Sequence, residues 1–155
     1  MKDESRTTYI HQELCNVPMD KDSYQKFLAN HERDMQETNL SSFFNDYLAE
    51  HPGLTVPEII RRSRVSGDYA RQIINGRRPR PSKYKLLALC IGAGMNIIET
   101  RRALQYAGCP ALYDKDNVDA GIIICINNGC NNVADVQAFL IEAGEEDPFE
   151  EKRPN

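Results

Sequence analysis

Residues 66–81 read SGDYARQIINGRRPRP. Arg71, Arg77, Arg78 and Arg80 bring guanidinium groups to this stretch, Gln72 and Asn75 bring side-chain amides, and Ser66 brings a hydroxyl. A guanidinium fork matches phosphate oxygens and the O6/N7 edge of guanine, and a glutamine amide matches the N6/N7 edge of adenine. The chemistry on offer is recognition of a polyanion by charge and hydrogen bonding. Asp68 is the one acid in the stretch. A carboxylate in the first turn of a helix is favoured by about 0.3–1 kcal/mol. Asp68 could also pair with Arg71 or Gln72 one turn on. It could accept from cytosine N4, although phosphate repels it, and it could weaken specific binding.

The charge is unevenly spread. The chain has 19 basic and 23 acidic side chains, a net charge of -4. Residues 55–88 nevertheless hold nine basic groups (Arg61, Arg62, Arg64, Arg71, Arg77, Arg78, Arg80, Lys83 and Lys85) against Glu58 and Asp68. Residues 103–155 hold ten acids against three bases. Positive charge concentrated within an acidic chain points to an anionic partner. A charge run is more often only a solvated helix face, and Arg61 and Arg62 fit that reading. The other arginines bracket a helix with a definite layout.

Other chemistries find little support. Cys15, Cys90, Cys109, Cys125 and Cys130 are an odd, scattered set, unlike a disulfide framework. Cys125 and Cys130 are too widely spaced for a CxxC hook, and His11, His31 and His51 lie far from them, so no metal site is expected. There is no Gly-rich phosphate loop, no HExxH and no Ser/His/Asp arrangement, so neither an enzyme nor a cofactor is expected. No apolar run approaches the roughly 20 residues that cross a bilayer. The opening MKDESRTTYIHQEL lacks the apolar core of a signal peptide. A cytoplasmic, nucleoid-associated protein is the expectation.

The elements that must position these groups are helical. Residues 1–20 are polar and read as frayed, and Tyr24, Phe27 and Leu28 predict a short helix near 21–34. Ser41 or Ser42 would cap the next helix, whose stripe is Leu40, Phe43, Phe44, Tyr47 and Leu48. His51-Pro52-Gly53 stops it. Thr55 caps a further helix, with Pro57 in its first turn and Glu58 placed to complete a capping box. Val56, Ile59 and Ile60 would face inward. Ser66 caps the next helix, which runs to about Asn75, buries Tyr69, Ala70 and Ile73, and is ended by Gly76. Ser82 caps KYKLLALCIGAG, almost wholly apolar after Lys85 and so expected to be central. Two helices joined by the short turn Arg64–Ser66 make a helix-turn-helix, whose second helix can enter a DNA major groove.

An internal repeat follows. Residues 87–108 overlay 122–144 with one gap, so that Cys90 meets Cys125, Gly94 meets Gly129, Leu104 meets Leu140, and Ala107-Gly108 meets Ala143-Gly144. Each copy predicts a short apolar helix, a turn, an amphipathic helix and a closing glycine. Two copies are too few for a solenoid, and the second reads as a hairpin packed onto the first. Tyr106 and Tyr113 are expected to be packing residues there.

Residues 40–98, and above all IINGRRPRPS and LLALCIGAGM, resemble the lambda-repressor-like helix-turn-helix domain of phage repressors, Cro proteins and bacterial Xre-type regulators. The resemblance implies an all-α, five-helix bundle and sequence-specific binding of double-stranded DNA, often as a homodimer. It places Ser66, Gly67, Asp68 and Gln72 at base edges and Thr55 and Val56 at phosphate through backbone N–H groups. Asn75, Arg77, Arg78 and Arg80 would lie along the sugar-phosphate backbone. Residues 99–150 also resemble the C-terminal extension of some bacterial members. Three positions depart from the pattern: Ile60 stands where alanine is usual, Arg64 where the turn takes glycine, and Gly67-Asp68 where long polar side chains read bases.

The expected organisation is a polar segment with one short helix over 1–38, the helix-turn-helix over 39–98, a helical hairpin over 99–144 and a disordered acidic tail over 145–155. A sharper alternative lays that tail over the basic face. The expected function is transcriptional regulation. Its rival is a protein-binding, antitoxin-like adaptor that grips a partner through 99–144.

Overall fold

The computed structural model describes residues 2–31 and 39–150. The chain divides into two compact units, Met1–Thr38 and Asn39–Asn155. Regular structure among the described residues is entirely helical, so the protein is all-α.

The first unit holds α1 (Lys2–Cys15) and α2 (Lys21–Asn30). A helix therefore stands where the sequence reads as frayed. The stretch has no glycine or proline before Pro18 to interrupt one. Asp20 caps α2, accepting from Ser23 N at 2.7 Å. Phe27 is buried with its ring 4.5 Å from that of His31, and the His31 ring bonds the Glu13 carboxylate. Tyr24, expected on the buried stripe, is exposed. The last part of the helix expected over 21–34 lies outside the described residues.

The second unit begins with α3 (Leu40–Glu50). Its cap is Asn39, which accepts from Ser42 N at 2.8 Å, and not Ser41 or Ser42. Leu40, Phe44 and Tyr47 are buried, and Tyr47 O–H donates to Ala93 O at 2.8 Å. Thr55 caps α4 (Val56–Ser63), accepting from Glu58 N at 3.3 Å. The Glu58 carboxylate does not close the expected box. It accepts from Arg62 Nη2 at 2.8 Å and Arg61 Nη2 at 3.3 Å, so neither arginine is merely solvated. Then come α5 (Gly67–Ile74) and α6 (Lys83–Gly92).

Helix α6 is central, with every residue from Leu86 to Ala93 buried. It approaches α4 so closely that a Cβ added at Gly92 would lie 2.8 Å from Ile59 O and 3.0 Å from Ser63 N. Only glycine fits this crossing.

Helices α7 (Ile97–Tyr106), α8 (Asn117–Asn127) and α9 (Val133–Glu142) complete the unit. The helices of the two copies end alike. Met95 N donates to Cys90 O, and Cys130 N donates to Cys125 O, both at 3.1 Å. Cys109 N donates to Leu104 O at 3.0 Å, and Glu145 N to Leu140 O at 2.9 Å. Each of these bonds closes over a glycine of positive φ: Gly94, Gly129, Gly108 and Gly144. This is the glycine-terminated helix end known as a Schellman motif, used in the same place in both copies. The second hairpin packs on α7, α6 and also α4, so it shares one core with the helices before it.

A buried polar joint ties the two together. Asp119, 1% exposed, receives Lys83 Nζ at 2.8 Å, Tyr84 O–H at 2.9 Å and Tyr113 N at 2.9 Å. Burial by itself pushes the Asp119 carboxyl up; the bonds from Lys83, Tyr113 N and Tyr84 outweigh it and hold the group below the usual carboxylate range. The same site pushes the Tyr84 hydroxyl up to about 12, by burial first and then by its bond to Asp119. Tyr113 contributes its backbone here, and its ring is exposed and not packed as expected. Tyr106 does pack, with its ring 5.5 Å from that of Phe43.

Candidate nucleic-acid interface

The basic stretch forms α5 and the loop after it. Ser66 caps α5 by accepting from Tyr69 N at 3.2 Å. Ala70 and Ile73 are fully buried, which fixes the roll of the helix and leaves Asp68 and Arg71 exposed. Its far end is pinned from α3, where Ser41 O–H donates to Ile74 O at 2.6 Å and Asn45 Nδ2 to the same oxygen at 3.0 Å. Both bonds answer an otherwise open C-terminal carbonyl.

The turn before α5 carries a left-handed residue. Arg64 has φ 60° and ψ 15°, and it is the single non-glycine with positive φ among the described residues. The conformation expected for a glycine is therefore adopted by arginine, at about 1 kcal/mol or more. Arg64 Nη1 donates to Gln137 Oε1 on α9 at 2.9 Å.

Gly67 explains how Ile60 is accommodated. An added Cβ at Gly67 would lie 3.7 Å from Ile60 Cδ1 and 2.6 Å from Arg71 Nη1. The bare first turn of α5 thus leaves room for the larger residue on α4 and for the Arg71 guanidinium, which folds back over it. Ile60 is half-buried against the core and does not turn outward.

Gln72 is not presented as a bare reader of bases. Its Oε1 accepts from Arg78 Nε at 3.0 Å and Nη2 at 2.8 Å. Arg78 also lies over the Tyr69 ring at 4.4 Å, and Lys85 Nζ sits 4.6 Å from the same ring. Tyr69 is half-buried and its hydroxyl accepts from Ser82 N at 2.9 Å. One aromatic ring thus gathers two cations beside α5, each favoured by the ring's negative face. Helical spacing puts Tyr69 in the core, and nothing local draws Lys85 into the site. The missing signal is a contact between residues 69 and 85, which no local spacing reveals.

The remaining expected residues take these places. Thr55 is exposed at the N-terminus of α4, and Val56 beside it is half-buried. Asn75 ends α5, its Oδ1 accepting from Arg77 N at 2.9 Å. Arg77 and Arg80 are exposed on the loop, which Gly76, at φ 86°, turns away from the helix. Ser66, Gly67, Asp68, Arg71, Gln72, Asn75, Arg77, Arg78 and Arg80 all lie on α5, its caps or the loop that leaves it. Lys83 lies apart from them, bound into the Asp119 joint.

No family model matches the chain, and none of the curated proteins or solved structures compared with it matches either. Among the described residues no group of His, Cys, Asp and Glu could hold a metal ion, and no helix is long and apolar enough to cross a membrane.

Proposed function

We propose that this protein is a DNA-binding transcriptional regulator of the Xre/Cro type, with a lambda-repressor-like helix-turn-helix formed by α4 and α5. Helix α5 would enter the major groove, and the flanking arginines would lie on phosphates. The observation that carries the reading is the layout around α5. Its buried side is locked by Ala70, Ile73 and the bonds to Ile74 O. Asp68, Arg71, Arg77 and Arg80 are exposed, with Arg78 and Lys85 gathered on Tyr69.

The labour would divide as follows. Arg71, whose guanidinium lies over Gly67, would reach guanine or phosphate. Gln72 must release Arg78 before it can read adenine. Asp68 in the first turn stabilises the helix end and tempers the positive field.

Titration of duplex DNA at low ionic strength tests this. Four to six phosphate contacts predict a slope of log K against log salt of about -4 to -5. The double variant Arg71→Ala/Arg77→Ala should abolish retention. Selection from random duplexes would then give the preferred site, and a palindrome would mark a two-fold dimer. A purified chain that ignores every duplex at low salt overturns the proposal.

One observation favours the rival adaptor reading. Ile124, Phe139 and Ile141 are exposed on the second hairpin, apolar surface that a protein partner could cover. Under that reading the same double variant keeps its partner.

A further inference from the structure

We infer that residues 145–150 act as an intramolecular competitor for duplex DNA, docked beside the N-terminal end of α5. The inference rests on the DNA-binding reading above and adds a regulatory element to it.

The segment GluGluAspProPheGlu is expected to be a disordered end. Residues 145–150 are instead held by a chain of bonds that starts at the helix-turn-helix itself. Arg64 Nη1, in the turn, donates to Gln137 Oε1 at 2.9 Å. Gln137 Nε2 donates to Asp147 Oδ2 at 2.7 Å, and Asp147 Oδ1 accepts from Phe149 N at 2.9 Å. These bonds aim the Phe149 ring edge-on at Tyr84, with ring centroids 6.3 Å apart. The Arg64–Gln137 and Tyr84–Phe149 contacts join groups far apart in sequence, so this is a docked strap and not a local turn.

Its resting place gives it consequence. A cleft of about 490 Å³ lies between the α4–α5 turn and the start of α6, and the strap forms one wall. Arg64, Ser66 and Lys85 line it together with Phe149 and Glu150. Ser66 is the cap of the very helix proposed to enter the groove, and Lys85 is one of the two cations on Tyr69. A carboxylate there supplies some of the negative charge that a DNA phosphate would bring. An arriving backbone must repel or displace it. At roughly 0.15 M salt the reach of such an effect is about 8 Å, so the competition is strongest at low salt.

The roles divide cleanly. Phe149 anchors the strap, Asp147 positions it, and Glu150 carries competing charge. The test uses the full chain and a random duplex, with affinity read by fluorescence anisotropy across a salt series. Glu150→Gln should raise affinity by about two- to fivefold at low salt, and the gain should shrink as salt rises. Phe149→Ala should raise it at least as much by undocking the strap. If Phe149→Ala fails to fold, Asp147→Asn takes its place. Unchanged or weaker binding in the strap variants, with the parent chain still binding duplex, overturns the inference and leaves the DNA-binding reading standing. Absence of binding in parent and variants alike overturns both.

Discussion

Gln72 and Arg78 are locked together: one amide oxygen accepts two bonds from one guanidinium, at 3.0 and 2.8 Å. The pair sets the loop as much as the helix, because Arg78 N also donates to Gln72 O at 3.0 Å. Arg78→Ala removes a cation facing the proposed backbone. Duplex affinity should fall, and the salt slope should shrink by about 0.9, the value of one phosphate contact. Gln72→Ala removes no charge and should leave that slope alone. Salt-titrated binding of the two variants distinguishes a phosphate contact from a purely structural clasp.

Gly92 predicts a packing defect that has nothing to do with the surface. Its missing Cβ faces backbone atoms of Ile59 and Ser63, which cannot swing aside. Gly92→Ala should cost about 1–3 kcal/mol by forcing α4 and α6 apart. Gly53→Ala, where nothing lies within 4 Å, is the control and should change stability by about 0.5 kcal/mol or less. Urea midpoints compare them directly.

At Arg64 the backbone and the side chain can be separated. Arg64→Ala and Arg64→Gly both lose the bond to Gln137, but glycine alone relaxes the positive φ. The glycine variant should exceed the alanine variant in stability by about 1 kcal/mol. Equal urea midpoints would show that the turn relaxes without cost.

Asp119 makes acid stability predictable in sign. Its carboxyl titrates below the ordinary value in the folded chain, so the unfolded chain binds the proton more readily. The contribution is fully present above the unfolded value of about 3.9 and is lost as pH falls through the lower, folded value. Asp119→Asn should flatten that acid limb. At neutral pH it should also cost roughly 3–5 kcal/mol, since Lys83 keeps a buried charge without its partner. Denaturation curves across the acid range would record both effects.

Much of this architecture was legible because the decisive signals are local. Thr55, Ser66 and Gly76 punctuate α4 and α5 through atoms within a few residues, and hydrophobic spacing picked out the buried Ile59, Ala70 and Ile73. The repeat was legible because a left-handed helix end needs glycine at a fixed place. Choices between competing partners were not. Glu58 could bond its cap or Arg62, and Asn39 displaced two serines as the cap of α3. The two cations on Tyr69, the burial of Lys83 against Asp119, and the hold of Gln137 on Asp147 all depend on long-range placement. Chain composition alone also reads residues 145–150 as solvated, since nothing nearby announces that Tyr84 awaits Phe149.

The Asp119 joint bears on how this molecule should be handled at the bench. A fragment ending at residue 98 would retain Lys83 and Tyr84 but discard the carboxylate that both of them reach. It would also bare the flank of α4 on which α9 rests. Such a truncation is a poor surrogate for the intact chain: its failure to bind would speak of an orphaned ammonium and an uncovered core, and the full chain offers the fair trial.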